Sequence, residues 1–286
     1  MKYRIAPRLA IALTAAIGLA SAPSIPGQSQ ADTKDSAPLS FDVTSVKPSQ
    51  PGTPGRGIQP MSSGQGYVVG GVPLRLMIKL MYKITDSQIT GGPKWMDSDP
   101  WDIEAKADHA YTLDQLHEMF QTMLADRFKL RFHKEKKEIP AYVLSIDKSG
   151  SKLKVNESPD PFEIPIKPDG RMSVGAGGIM MKIIGTRVPM VYLSWYLSQT
   201  LRDDPVVDQT GLEGFYDFKL EWLQELPPGF AERAGALPPA PAGADSGPAG
   251  PTLAVALREQ LGLKLEKRKA AADVFVIDRV EKPEAN

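Results

Sequence analysis

The chain contains no cysteine, only three histidines in 286 residues, and no excess of either charge, 34 Lys+Arg standing against 34 Asp+Glu. Without thiols it can hold neither a disulfide scaffold nor a thiolate metal site. His109, His117 and His133 fit no H-E-x-x-H spacing, so they read as scattered surface residues, and neither a metal nor a cofactor is expected. Balanced charge excludes the broad basic field that nucleic-acid binders carry. Long apolar runs are missing as well. Residues 9–20 fall short of the ~20 needed to span hydrocarbon, and residues 72–84 are broken by Arg75 and Lys79.

What is present begins with an export signal over residues 1–31. Lys2, Arg4 and Arg8 make a basic start, an apolar run follows, and small residues close it. Cleavage after Ala22 would leave Pro23 first, which signal peptidases dislike; cleavage after Ala31 is preferred, and both sites stay open. Removing residues 1–31 takes away three positive charges and no negative one, leaving 31 basic against 34 acidic side chains. The expectation is a periplasmic or secreted protein with no stable membrane insertion and no nucleic-acid partner.

Three breaker-rich stretches divide the remainder: residues 48–66, 150–170 and 227–251. The last holds seven Pro, five Gly and seven Ala, too little apolar surface to offset its chain entropy, so it reads as a flexible excursion. Between these stretches a set of words recurs in order. Val72-Pro73-Leu74, Trp101-Asp102-Ile103, Thr112-Leu113, Phe128-Lys129-Leu130 and Tyr142-Val143-Leu144 are followed by Val188-Pro189-Met190, Tyr216-Asp217-Phe218, Thr252-Leu253, Leu263-Lys264-Leu265 and Val274-Phe275-Val276. Gly91-Gly92 has its counterpart in Thr210-Gly211.

Within the first set, Leu74, Met77, Ile78 and Met81 form a helical apolar stripe, and Leu113, Leu116, Phe120, Met123 and Leu124 form another behind Thr112 as N-cap. Strands are predicted over 101–107, 129–133, 141–146, 216–222, 263–267 and 273–280, with the charged run Lys134-Glu135-Lys136-Lys137-Glu138 as a hairpin loop guarding an edge. The expected class is α+β. Two repeated units, 32–149 and 171–286, would each be a small mixed sheet carrying two helices on one face. Residues 150–170 would link them, and 227–251 would be an insertion in the second.

Several of these words also carry a resemblance. Phe41-Asp42-Val43-Thr44-Ser45-Val46-Lys47-Pro48, Gly91-Gly92-Pro93-Lys94-Trp95, Trp101-Asp102-Ile103-Glu104-Ala105, Leu124-Ala125-Asp126-Arg127-Phe128 and Val207-Asp208-Gln209-Thr210-Gly211-Leu212 resemble a bacterial family of soil-associated proteins, a domain of unknown function. The resemblance covers about residues 40–280 and implies no particular reaction or ligand. More distantly, each half is similar to the short N-terminal domain of secretins and TonB-dependent receptors, which implies a periplasmic protein-interaction module.

Chemistry is sparse. No G-x-S-x-G exists, and Ser149-Gly150-Ser151-Lys152 reads as a turn. Gly175-Ala176-Gly177-Gly178 and Gly64-Gln65-Gly66 lack the Lys-Ser/Thr of a P-loop and read as hairpin turns. Asp102 and Glu104 share one face of a predicted strand, about 7 Å apart, a spacing that would suit acid–base work on a glycoside, although the second copy has Lys219 where the first has Glu104. Trp95, beside the Gly91-Gly92-Pro93 turn, is expected to be partly exposed and could anchor a partner. The leading expectation is a non-catalytic exported module binding another envelope protein or envelope component, with Trp95, Trp101, Asp102 and Glu104 as candidate contacts. The alternative is a secreted hydrolase using the Asp102/Glu104 pair.

Overall fold

Proline stands at the N-cap of two helices and threonine at the N-cap of two more. The computed structural model describes residues 38–50, 52, 55–159, 163–170, 173–175, 178–202, 204–225 and 250–284. The expected export signal, nearly all of the expected insertion at 227–251, and Ala176-Gly177 lie outside the described residues.

The first half runs Val43–Pro48 (β1), Gly57–Pro60 (β2), Gly66–Pro73 (β3), Leu74–Tyr82 (α1), Ile89–Thr90 (β4), Trp95–Ser98 (α2), Pro100–Lys106 (β5), Leu113–Arg127 (α3) and Arg131–Ile146 (β6). In β5, Trp101, Ile103 and Ala105 are buried while Glu104 and Lys106 are exposed, the period-2 pattern of a half-buried strand. β5 lies between β1 and β3, and β3 pairs with β2, giving an antiparallel sheet ordered β1-β5-β3-β2. Pro73 leads into α1 at φ −66 with no N–H to leave unpaired. α3 opens on a capping box, Thr112 Oγ1 accepting from the Gln115 amide at 3.2 Å and Gln115 Oε1 accepting from the Thr112 amide at 3.0 Å. The two helices close over the sheet, burying Met77, Ile78, Phe120 and Leu124 with Val46 and Trp101. A fully buried aliphatic or Phe side chain of this kind contributes roughly 1.5–3 kcal/mol.

The second half runs Lys154–Val155 (β7), Ile166–Pro168 (β8), Ser173–Gly175 (β9), Gly178–Val188 (β10), Met190–Thr200 (α4), Val206–Asp208 (β11), Tyr216–Gln224 (β12), Leu253–Ala256 (α5, continued by a π-helical turn Leu257–Leu261) and Leu263–Arg279 (β13). Its sheet is ordered β7-β12-β10-β8, with β9 also on β10, and is antiparallel throughout. Leu193, Leu197, Leu257 and Leu261 pack with Phe218, Leu220 and Trp222 in a second core. The stretch read as a linker therefore supplies two strands of this sheet, β7 and β8.

A third sheet, which the sequence reading did not foresee, is the mixed one: β11-β6-β13-β4. Its long central strands are antiparallel, while β11 runs parallel to β6 and β4 parallel to β13. Each half's short strand thus pairs with the other half's long one. The charged run 134–138 is not a hairpin loop but the middle of β6, opposite residues 271–275, and the two strands expected within 263–280 are likewise one. Along 134–138 the β6 side chains are exposed or half-buried, whereas the facing Ala272, Val274 and Phe275 of β13 are buried, so no apolar alternation marks this part of β6. Its backbone ladder and cross-strand pairs such as Lys136–Asp273 at 2.7 Å hold it together.

Candidate functional site

The four sequence candidates fall on two sides of the first sheet. Trp101 is 3% exposed, packed edge-on against Phe128 at 5.3 Å and against Trp95 at 6.5 Å. Trp95 is half-buried, as its place beside the glycine turn suggested, with the Lys282 ammonium 5.7 Å from its ring centre. On the outer face, Asp102 accepts hydrogen bonds from Ser49 Oγ at 2.6 Å and from the Gly71 amide at 2.8 Å. Glu104 is exposed and paired with Lys106 at 2.6 Å; the hydrogen bond from that ammonium holds its carboxyl below the usual range. Asp102 and Glu104 share a shallow depression with Ser45, Lys47 and Arg56, and neither candidate tryptophan lines it.

Asp102 has a structural task. β3 slips register between Val69 and Val72, and the bulge places Gly71 at φ 69, where a Cβ would meet Gly55 Cα at 2.7 Å. Asp102 satisfies the amide that the bulge turns away from the ladder. Asp217 does the same in the second sheet, accepting from the Arg187 amide at 2.9 Å, with Arg187 at φ 50 in the bulge between Gly185 and Val188. Asn156 Nδ2 then takes the place of Ser49 Oγ, at 2.8 Å from Asp217.

A more developed site lies where the two halves meet. A cleft of about 180 Å³ is lined by Tyr67 of β3, Lys83 at the end of α1, Leu113 and His117 of α3, and Tyr192 and Trp195 of α4. Ile58, Leu80 and Ile164 add apolar wall. Lys83 terminates α1 in the left-handed region at φ 55, which swings its side chain back toward the opening turn of α3. There its Nζ lies 3.1 Å from Asp114 Oδ1 and 3.0 Å from His117 Nδ1. The Tyr67 ring stacks on the imidazole, 6.1 Å between centres at 14°.

Burial governs the electrostatics. It pushes His117 down from 6.5 to about 3, helped by Lys83 and opposed by Asp114. It also pushes the Tyr67 phenol up, with Tyr192 and Asp114 adding to the effect. Tyr192 rises to about 12, again chiefly through burial and then Asp114. His117 is therefore neutral at physiological pH. Because an ammonium only donates, Nδ1 must accept, and the ring proton sits on Nε2. Trp195 Nε1 is buried without a hydrogen-bond partner, a deficit of about 1–3 kcal/mol.

His117 corrects the reading of all three histidines as surface residues: it is 9% exposed, whereas the side chains of His109 and His133 are open to solvent. Its spacing, four residues after Leu113 and three before Phe120, already placed it on the buried stripe of α3. Lys83 carried no comparable signal. Among the described residues, no three His, Asp or Glu side chains gather as a metal site would, and no helix is long and apolar enough to cross a membrane.

Residues 75–280 match the family model described as a protein of unknown function (DUF3738). The chain belongs to that family. The match spans α1, the cleft residues on α3 and α4, and all three sheets in part. No curated protein and no solved structure matches the chain.

Proposed function

We propose that the chain is an exported, non-catalytic binding module, built from two copies of one α+β unit, that receives its ligand in the cleft where the copies meet and acts through another envelope protein or envelope component. The observation that carries this reading is the cleft itself: an apolar recess walled in part by a buried Lys83–His117 pair. Pockets of this make-up, mostly apolar with a few convergent polar groups, are where small ligands bind.

Duplication is supported by several independent matches. Sheet orders β1-β5-β3-β2 and β7-β12-β10-β8 correspond strand for strand in sequence order, apart from the added β9. Left-handed residues recur at four equivalent places: Gly71 and Arg187, Lys83 and Arg202, Gly91 and Gly211, Lys129 and Gly262. Thr112 and Thr252 cap the equivalent second helices. The kinship of each half with the short N-terminal domain of secretins and TonB-dependent receptors, and membership among bacterial soil-associated proteins, belong to the same proposal. Export rests on the basic start and short apolar run of residues 1–31.

Two measurements test this. The chain isolated from a periplasmic or secreted fraction should begin at Asp32 or Pro23; an intact precursor confined to the cytoplasm would remove the export half. Capture from envelope extract at physiological salt should return a partner that a folded Trp195→Ala variant loses. Equal recovery by both proteins, or by neither, would remove the cleft from the function.

A further inference from the structure

Resting on the reading that the cleft is the binding site, we infer that its ligand is a small monocarboxylic acid with a single ring or a short apolar body. The first argument is hydrogen-bond inventory. Lys83 has three N–H donors, of which Asp114 and His117 take two. His117, held with Nδ1 as acceptor, keeps a second donor at Nε2. Among the described residues that line the cleft, none is acidic. A set this rich in donors calls for a ligand group that only accepts, and a carboxylate has about four lone-pair sites and no proton to place.

The second argument is charge. Lys83 and Asp114 are paired, but unequally immersed: the Lys83 side chain is 13% exposed and that of Asp114 58%. Water screens the anion far more than the cation, so the cleft side of the pair is electropositive. His117 adds no charge of its own at neutral pH. This asymmetry favours an anion over a neutral amide or ester of the same shape.

Size sets the rest. A cavity of about 150 Å³ admits one benzene ring, and this cleft has about 180 Å³. The walls Tyr67, Leu80, Leu113 and Tyr192 suit an apolar body, and the two tyrosines with Trp195 suit a flat one. A disaccharide or a nucleotide would extend well beyond this cleft, and a phosphate alone would leave its apolar wall wet.

Calorimetric titration of the purified chain with phenylacetate, and with phenylacetamide as its neutral isostere, tests the inference. Phenylacetate should bind saturably and roughly tenfold or more tighter than the amide, the ratio expected of one charge-assisted hydrogen bond. Lys83→Met should abolish the preference for acid over amide; His117→Phe, which keeps a flat ring and deletes the Nε2 donor, should weaken the acid several-fold. His117→Phe is the decisive variant if Lys83→Met does not fold. No saturable binding, equal affinity for acid and amide, or affinities unchanged in His117→Phe would overturn the inference. If phenylacetate fails while Trp195→Ala still loses the envelope partner, the ligand class is wrong and the cleft reading stands; if both fail, the cleft reading falls too.

Discussion

The Lys83 ammonium sits 3.0 Å from Nδ1 of His117, so an imidazole kept neutral chiefly by burial has a cation beside it that adds to the effect. The imidazole titrates near 3 in the folded chain and near 6.5 when unfolded. Folded and unfolded states bind the same number of protons at this site above pH 6.5. As pH falls from 6.5 toward 3 the unfolded state takes up a proton that the folded state refuses, and stability is lost. The full linkage is on the order of 5 kcal/mol. Urea unfolding at pH 7.5 and pH 4.5 should therefore show a larger loss for the wild type than for His117→Gln. Equal losses would mean that the imidazole is not shielded as described.

Asp102 and Asp217 should behave as structural twins. Removing either carboxylate strands a backbone amide in a bulge, Gly71 or Arg187, so Asp102→Ala and Asp217→Ala should each cost about 1–3 kcal/mol in unfolding free energy. Asp102→Asn, which can still accept from that amide, should cost less. A carboxylate poised for hydrolysis instead of for the bulge would leave stability almost unchanged on substitution.

The helix ends offer a pair of opposite effects. Lys129 closes α3 at φ 51 on the exposed surface, where the second half has Gly262 at φ 67. A left-handed non-glycine residue costs roughly 1–2 kcal/mol, partly offset by the greater unfolded freedom of glycine. Lys129→Gly should raise the thermal midpoint by the equivalent of about 0.5–1 kcal/mol. Gly262→Ala should lower it by more than Lys129→Gly raises it, because an added Cβ there would meet the Gly150 carbonyl oxygen at 1.9 Å.

Thr112→Ala and Thr252→Ala remove side chains that accept from the Gln115 and Val255 amides. Each should cost about 1 kcal/mol in chemical unfolding, with Thr112→Ala the larger because the Gln115 half of its box is lost as well.

Helix openings and half-buried strands were legible because their physics is local. Pro73, Pro189, Thr112 and Thr252 announce helices within three residues, and Trp101, Ile103 and Ala105 alternate as a one-sided strand must. The centre of β6 was not legible: Lys134 to Glu138 are all charged and mostly exposed, their pairing partners 271–275 are remote in sequence, and no hydrophobic period marks this part of the strand. His117 was within reach, since its spacing on α3 matches the buried stripe. Lys83 was not, because its approach to the cleft depends on a left-handed helix end that lysine rarely adopts. The candidate pair Asp102 and Glu104 showed the right types on the right face, but the bulge that occupies Asp102 is a property of two strands together.

The crossed pairing of β4 with β13 and of β11 with β6 makes the halves mutual hostages. A nick at the exposed turn Lys148-Ser149 would leave each fragment with an unmated long strand and an idle short one. Neither piece is a self-sufficient domain on that wiring; the two should persist as a tight one-to-one reassembly, each long strand still mated to the short strand of the other fragment.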